Sequence, residues 1–245
     1  MGIIIQCIVS ILAFAGGVIL VIFLNKRKAN KTLVNLILSG IALFFYILMI
    51  LFDGVYHKWD LEMILDVIPL SRMSPFIFAT VFFINFVPQG VRKYYHTILS
   101  TFFLAMASVG MFSSLADGLM NDINYFVVWM YFDSFSHLAI ALLGLWLVLS
   151  GQVTFERKTL FKCLGILYVF LFLLIIVNLI FKTNFFGFSV YGDHNIYNIV
   201  INPWLASFAA YFAGLTVIVV ADWLLMKAIS KKHAITEASD ESLAA

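Results

Sequence analysis

Charge is scarce in this chain: only 11% of its 245 residues are Asp, Glu, Lys or Arg, where a soluble domain carries about a quarter. That scarcity excludes a water-soluble core. The net charge of +2 is equally small, and no basic stripe suggests a nucleic-acid partner. Cysteine is nearly missing. Cys7 and Cys163 lie far apart in apolar runs, as small buried hydrophobes do, and no CxxC or Cys/His spacing suggests zinc. Residues 1–24 lack the basic n-region and small-residue cleavage site of a signal peptide, and Gln6 before Cys7 spoils a lipoprotein cleavage box. The first apolar segment is therefore expected to stay attached. Internal repeats, long linkers and cofactor motifs are also missing, so one domain without a cofactor is expected.

What the chain does have is apolar length. It is 63% hydrophobic, with 26 Phe and a mean hydropathy of +1.04. A helix needs about 20 apolar residues to cross the hydrocarbon core. Seven segments qualify, at 3–24, 33–53, 61–87, 95–115, 125–149, 159–181 and 199–226. The expected architecture is all-α: a polytopic bundle of seven transmembrane helices over residues 1–226, followed by a short cytoplasmic tail, 227–245.

Basic residues set the direction. If all seven segments span, one side receives NKRKANK (25–31), PQGVRKYY (88–95), FERKTLFK (155–162) and the tail. The other side receives DGVYHKWD (53–60), ADGLMNDIN (116–124) and KTNFFGFSVYGDHNIYN (182–198). Of the 15 Lys and Arg, twelve fall on the first side, two (Lys58 and Lys182) on the second, and Arg72 on neither. Cytoplasmic loops carry the Lys/Arg excess, so the amino terminus is expected outside and the carboxyl terminus inside. Omitting the third span would put PQGVRKYY beside DGVYHKWD and spoil the asymmetry.

That third span contains DVIPLSRMSPF (66–76), with an aspartate, an arginine and two prolines. Pro69 and Pro75 each remove a backbone donor and disfavour helical geometry at the preceding residue, so the helix is expected to kink or break. Irregular backbone at membrane depth persists only inside protein or against a watery cavity. A lone arginine there costs about 2.5–3.5 kcal/mol on insertion scales. Arg72 therefore needs Asp66, Asp133 or an anionic head group as partner.

Other polar residues reach the same outer depth. Asp133 and His137, in WMYFDSFSHLAIALLG, are spaced i, i+4 on one helix face, where the carboxylate can orient the imidazole. Asn178 and Asn184 lie in span six and just beyond it, and Asn202 opens span seven; the inner half holds little that ionises besides Asp222. Asp66, Ser71, Arg72, Asp133, His137, Asn178 and Asn202 thus outline an outward-facing polar pocket. The loop 182–198 carries Asp193 beside His194, but two residues do not make a metal site, and its Phe and Tyr suit a lid.

Four stretches, IPLSRMS (68–74), SHLAIALLG (136–144), VNLIFKTNFFG (177–187) and NPWLASF (202–208), follow one another in an order that resembles the YwaF-like membrane proteins of bacteria and the related eukaryotic transmembrane protein 164. That family carries Leu-Pro-Leu-His-Leu-Cys in an early span, a later histidine, an Asn followed by Thr-Asn-aromatic, and Pro-Trp near the last span. The resemblance implies a bacterial plasma-membrane protein and, from the eukaryotic members, a membrane acyltransferase whose cysteine takes an acyl chain and whose later histidine is the base. A more distant group of androgen-dependent hydrolases pairs a threonine with a histidine. His137 matches the later histidine, but the family's early His falls on Ser71 and its Cys on Met73, a thioether that cannot attack an ester.

The expectation is a lipid-handling protein, binding or accessory, with impaired catalysis. The alternative is a serine/histidine acyltransferase or lipid hydrolase, with Ser71 or Ser74 as nucleophile, His137 as base and Asp133 as its orienter. Asp66, Arg72, Asn178, Asn184 and Asn202 would bind ligand. A third reading is a non-catalytic subunit of a membrane complex or transporter. Partners are membrane lipids and, on the third reading, another membrane protein. Orientation is directly testable: a reporter fused after Ala245 should be cytoplasmic, and a cysteine placed at position 121 should label from outside intact cells. Labelling there only after permeabilisation reverses the topology.

Overall fold

The computed structural model of the chain describes residues 2–56, 58–59, 74–105, 107–108, 124–181 and 203–244. All the regular structure among them is helical. In chain order the helices are α1 (Gly2–Lys26), α2 (Lys31–Tyr56), α3 (Ser74–Phe82), α4 (Gln89–Ile98), α5 (Asn124–Leu149), α6 (Arg157–Phe181) and α7 (Pro203–Ala244). A 3₁₀ turn, Phe83–Phe86, extends α3, and a π turn, Leu99–Phe103, continues α4.

Among the described residues, five stretches are long and apolar enough to cross a membrane: Ile8–Lys26, Lys31–Tyr56, Tyr131–Leu149, Arg157–Val177 and Phe212–Lys232. Their outward faces carry large apolar side chains, such as Leu12, Ile19, Phe44, Phe172 and Leu224. In water such surfaces would aggregate; in lipid they need no partner. The remaining two helices are shorter. The first half of the expected third span, including Pro69, lies outside the described residues. Its second half is α3, with Pro75 as the second residue, where its missing N–H costs nothing. The expected kink at Pro75 thus coincides with a helix start. Helix α4 begins at Gln89 rather than 95, because Pro88 sits in extended geometry as its N-cap (φ −55°, ψ 143°). Arg92 secures that corner by donating from Nε and Nη2 to the Val87 carbonyl at 3.3 and 3.1 Å.

Helix α5 is the centre. Of its apolar window 72% is buried, against 11% for α1, which lies on the outside of the bundle. Trp146, Leu143 and Leu147 are almost wholly enclosed. Helix α2 lies antiparallel to it: Phe45 stacks on Phe135 at 5.2 Å and Phe52 meets Phe132 at 6.1 Å near one end, and Asn35 bonds Gln152 at the other. Tyr46 of α2 also stacks on Phe78 of α3 at 4.4 Å. Helices α6 and α7 pair through Tyr168, which hydrogen-bonds Thr216 and packs on Phe212.

Two tight turns close one end. Lys28 takes a left-handed φ of 52° after α1, and Asn30 then caps α2, its Oδ1 accepting from the Leu33 N–H at 3.1 Å. Gly151, at φ 70°, ends α5 and lets the Gln152 N–H return to the Leu147 carbonyl at 2.9 Å. Because α2, α3, α4, α5 and α6 bond to one another at this end, the basic residues of 26–31, 92–93 and 157–162 are gathered there.

At Gly144, α5 comes close to the backbone that continues α4. A Cβ there would stand 3.0 Å from the Leu99 carbonyl oxygen and 3.0 Å from Leu104 Cβ, whereas one at Gly165 would meet nothing within 4 Å. Gly144→Ala should therefore lower stability by about 1–3 kcal/mol, the usual cost of overpacking. Gly165→Ala should not, and thermal unfolding of both variants in detergent checks the difference.

Candidate functional site

Helix periodicity alone brings Asp133 and His137 together on α5. His137 Nδ1 lies 2.9 Å from the Asp133 carbonyl oxygen and 3.3 Å from its Oδ1. Both partners are acceptors, so Nδ1 must carry a proton. In the neutral ring the lone pair then sits on Nε2. Asp133 is buried, while the His137 side chain keeps 21% of its surface exposed. Nε2 has no hydrogen-bond partner among the described residues.

Aromatic rings fix the imidazole from the side. Phe78 of α3 meets it edge-on, with centroids 6.2 Å apart and planes at 84°, and Phe78 itself rests on Tyr46. Ser136 cannot serve as a nucleophile here, because its hydroxyl donates to the Asp133 carbonyl at 2.7 Å. Ser134 Oγ is buried beside the pair with no hydrogen-bond partner among the described residues. What this arrangement offers is an oriented proton acceptor in an apolar wall.

Of the residues expected at the site, the structure brings together Asp133 and His137. Ser74 is the first residue of α3, one turn before Phe78, and Asn178 lies in α6; the side chains of both lie outside the described ones. Asp66, Ser71, Arg72, Asn184 and Asn202 lie outside the described residues, as do Asp193 and His194. Among the described residues no group of three or more His, Cys, Asp and Glu could hold a metal ion.

At the opposite end the structure shows a polar cluster that the sequence reading passed over. Asn35 Nδ2 donates to Gln152 Oε1 at 3.0 Å and reaches Asn85 Oδ1 at 3.4 Å, and Gln152 Nε2 returns a bond to Asn35 Oδ1 at 3.4 Å. Gln152 also donates to Ser150 Oγ at 2.7 Å, and Asn85 donates to the Thr32 carbonyl at 3.0 Å. His96 joins through Nδ1, which donates to the Gln152 carbonyl at 3.1 Å. His96 is buried there, and its Nε2 lacks a partner among the described residues. A weak signal was available: Asn35 and Ser39 are spaced i, i+4 on α2 and both are buried. The nearby hydroxyls are spent locally. Thr97, Thr101 and Ser100 return to carbonyls of their own helix at 2.7, 2.7 and 3.1 Å, and Cys163 is a buried free thiol against the Tyr94 carbonyl.

No protein-family model, curated protein or solved structure matches the chain. The described residues thus form an all-helical protein with five helices long and apolar enough to cross a membrane, compatible with a multi-pass membrane protein.

The amide cluster makes its own prediction. Asn35→Ala and Gln152→Ala each leave buried polar groups unpaired, so each should cost about 1–3 kcal/mol. The double variant should lose less than the two singles combined, with a coupling of about 0.5–3 kcal/mol, because the residues share bonds. Unfolding of all four proteins in one detergent measures it.

Proposed function

We propose that the chain is a seven-span protein of the cell membrane, amino terminus outside and carboxyl terminus inside, that holds a lipid in a pocket built around His137. Support for the orientation comes from the gathering of basic residues at the end of the bundle opposite Asp133 and His137. Support for an apolar ligand with one polar group comes from the wall around the imidazole: Phe78 stands against it and Tyr46 backs Phe78. The carrying observation is the commitment of Nδ1 to Asp133, which leaves Nε2 as the ring's acceptor toward a ligand.

Binding is favoured over turnover by the resemblance to the YwaF-like family, since Met73 stands where that family has its cysteine; a serine nucleophile would need His137 within about 3.2 Å or one water away. The catalytic reading keeps one specific support, that Ser74 precedes by one turn the phenylalanine in contact with His137.

Mass spectrometry of labelled phospholipids incubated with the purified protein separates the readings. Lipid should be retained without acyl transfer or hydrolysis. His137→Ala should weaken retention about tenfold, the worth of one good hydrogen bond, and Ser71→Ala and Ser74→Ala should leave it unchanged. Robust turnover abolished by His137→Ala and by one serine variant would establish a serine-dependent acyl enzyme instead.

A further inference from the structure

The basic end carries a second arrangement, independent of the His137 pocket. Helices α4 and α6 meet along a buried seam of Ile98, Leu160, Cys163 and Leu164. Tyr94 closes the top of that seam, half-buried, and two lysines from the two helices converge on it. Lys93 Nζ lies 5.2 Å from the ring centroid and Lys162 Nζ 5.4 Å from it. Lys162 Nζ also donates to Tyr94 Oη at 3.2 Å.

Like charges from separate helices separate in water unless something favours their approach. Cation–π attraction to the shared ring supplies part of that. Among the described residues no carboxylate lies within ion-pairing distance of either lysine. Tyr94 Oη accepts from Lys162 and so keeps its own proton to donate. Two ammonium groups and one free hydroxyl proton make a donor set for a phosphate ester. Directly beside them the surface turns apolar, with Val91 50% and Phe161 69% exposed. A soluble anion would use only the donors; a phospholipid uses both surfaces.

We propose that Lys93, Tyr94 and Lys162 bind the phosphodiester of an anionic phospholipid, its acyl chains lying along the outer faces of α4 and α6. The head group must lack a cation of its own, because a choline or ethanolamine would face two uncompensated lysines. Phosphatidylglycerol fits that chemistry and phosphatidylcholine does not. An aromatic ring at the boundary between basic and apolar surface is where membrane interfaces place tyrosine.

The test uses the full-length protein in detergent, with native mass spectrometry of bound phosphatidylglycerol against phosphatidylcholine of the same acyl chains. Wild type should retain the anionic lipid preferentially. An interfacial lysine contributes about fivefold in attraction to anionic lipid, so Lys93→Gln with Lys162→Gln should lower retention roughly 30-fold. Tyr94→Phe, which keeps the ring and loses the donor, should weaken it by a smaller factor. Both lysines are exposed, so the double variant should fold as wild type does. Lys231→Gln with Lys232→Gln removes the same charge from α7 and should leave the preference intact. Equal retention of the two lipids by wild type overturns the proposal. So does an equal loss in both double variants, which would mean diffuse charge attraction. Glycerol 1-phosphate competing as well as the lipid would identify a soluble-anion site and likewise overturn it.

Discussion

Hydrocarbon accepts and donates no hydrogen bonds, and an unsatisfied polar group within it costs several kcal/mol. For a chain this apolar, that condition shapes the placement of many polar side chains. Hydroxyls at Thr97, Ser100, Thr101 and Ser136 return to carbonyls of their own helix and make no demand on a neighbour. Amides have two donors and cannot do the same. Asn35, Asn85 and Gln152 therefore find one another across three helices, and the two imidazoles each commit Nδ1 to a fixed oxygen. Packing between lipid-facing helices has little hydrophobic drive, so these few bonds carry a large share of the specification of which helix lies where.

Helix α5 collects the consequences. It presents Asp133 and His137 near its middle, a bare glycine face at Gly144, and Gln152 just past its end. The first group is oriented within the helix itself, by i, i+4 spacing, and needs α3 only as a wall. The last depends on Gly151, whose left-handed backbone turns Gln152 back over the bundle. Local geometry builds the candidate ligand site, whereas long-range bonding builds the opposite end.

This division explains what could be read from the residues alone. Apolar length and the basic residues near the turns were enough for the long helices, and the spacing of Asp133 and His137 was enough for their contact. The amide cluster was not legible, because its members are 50 and 117 residues apart and each looks like an ordinary polar residue near a helix end. Tyr94, Lys93 and Lys162 read as solvated charge near two turns, since nothing in either segment announces the other. The start of α4 was placed at 95 because PQGVRKYY reads as a basic connection between spans, although Pro88 had already fixed where a helix could begin. The π turn left no trace either: Leu99–Phe103 is as plausible a run of α-helix as any in the chain.

That π turn has a mechanical consequence. One extra residue in a turn widens it and directs a carbonyl away from the ladder, and here the Leu104 N–H reaches back to the Leu99 oxygen. The same oxygen lies where a side chain at position 144 would be. Bulge and glycine are thus shaped as tooth and notch. Helix α4 cannot slide or roll along α5 without lifting the tooth out, so the pair acts as a detent that indexes one helix on the other. His96 lies three residues before the tooth and Gln152 eight residues after the notch. Their alignment is set by this mid-bundle index as much as by the bond between them. A motion of the bundle that leaves the detent seated would therefore pivot about Leu99, with the Gln89 end of α4 swinging furthest.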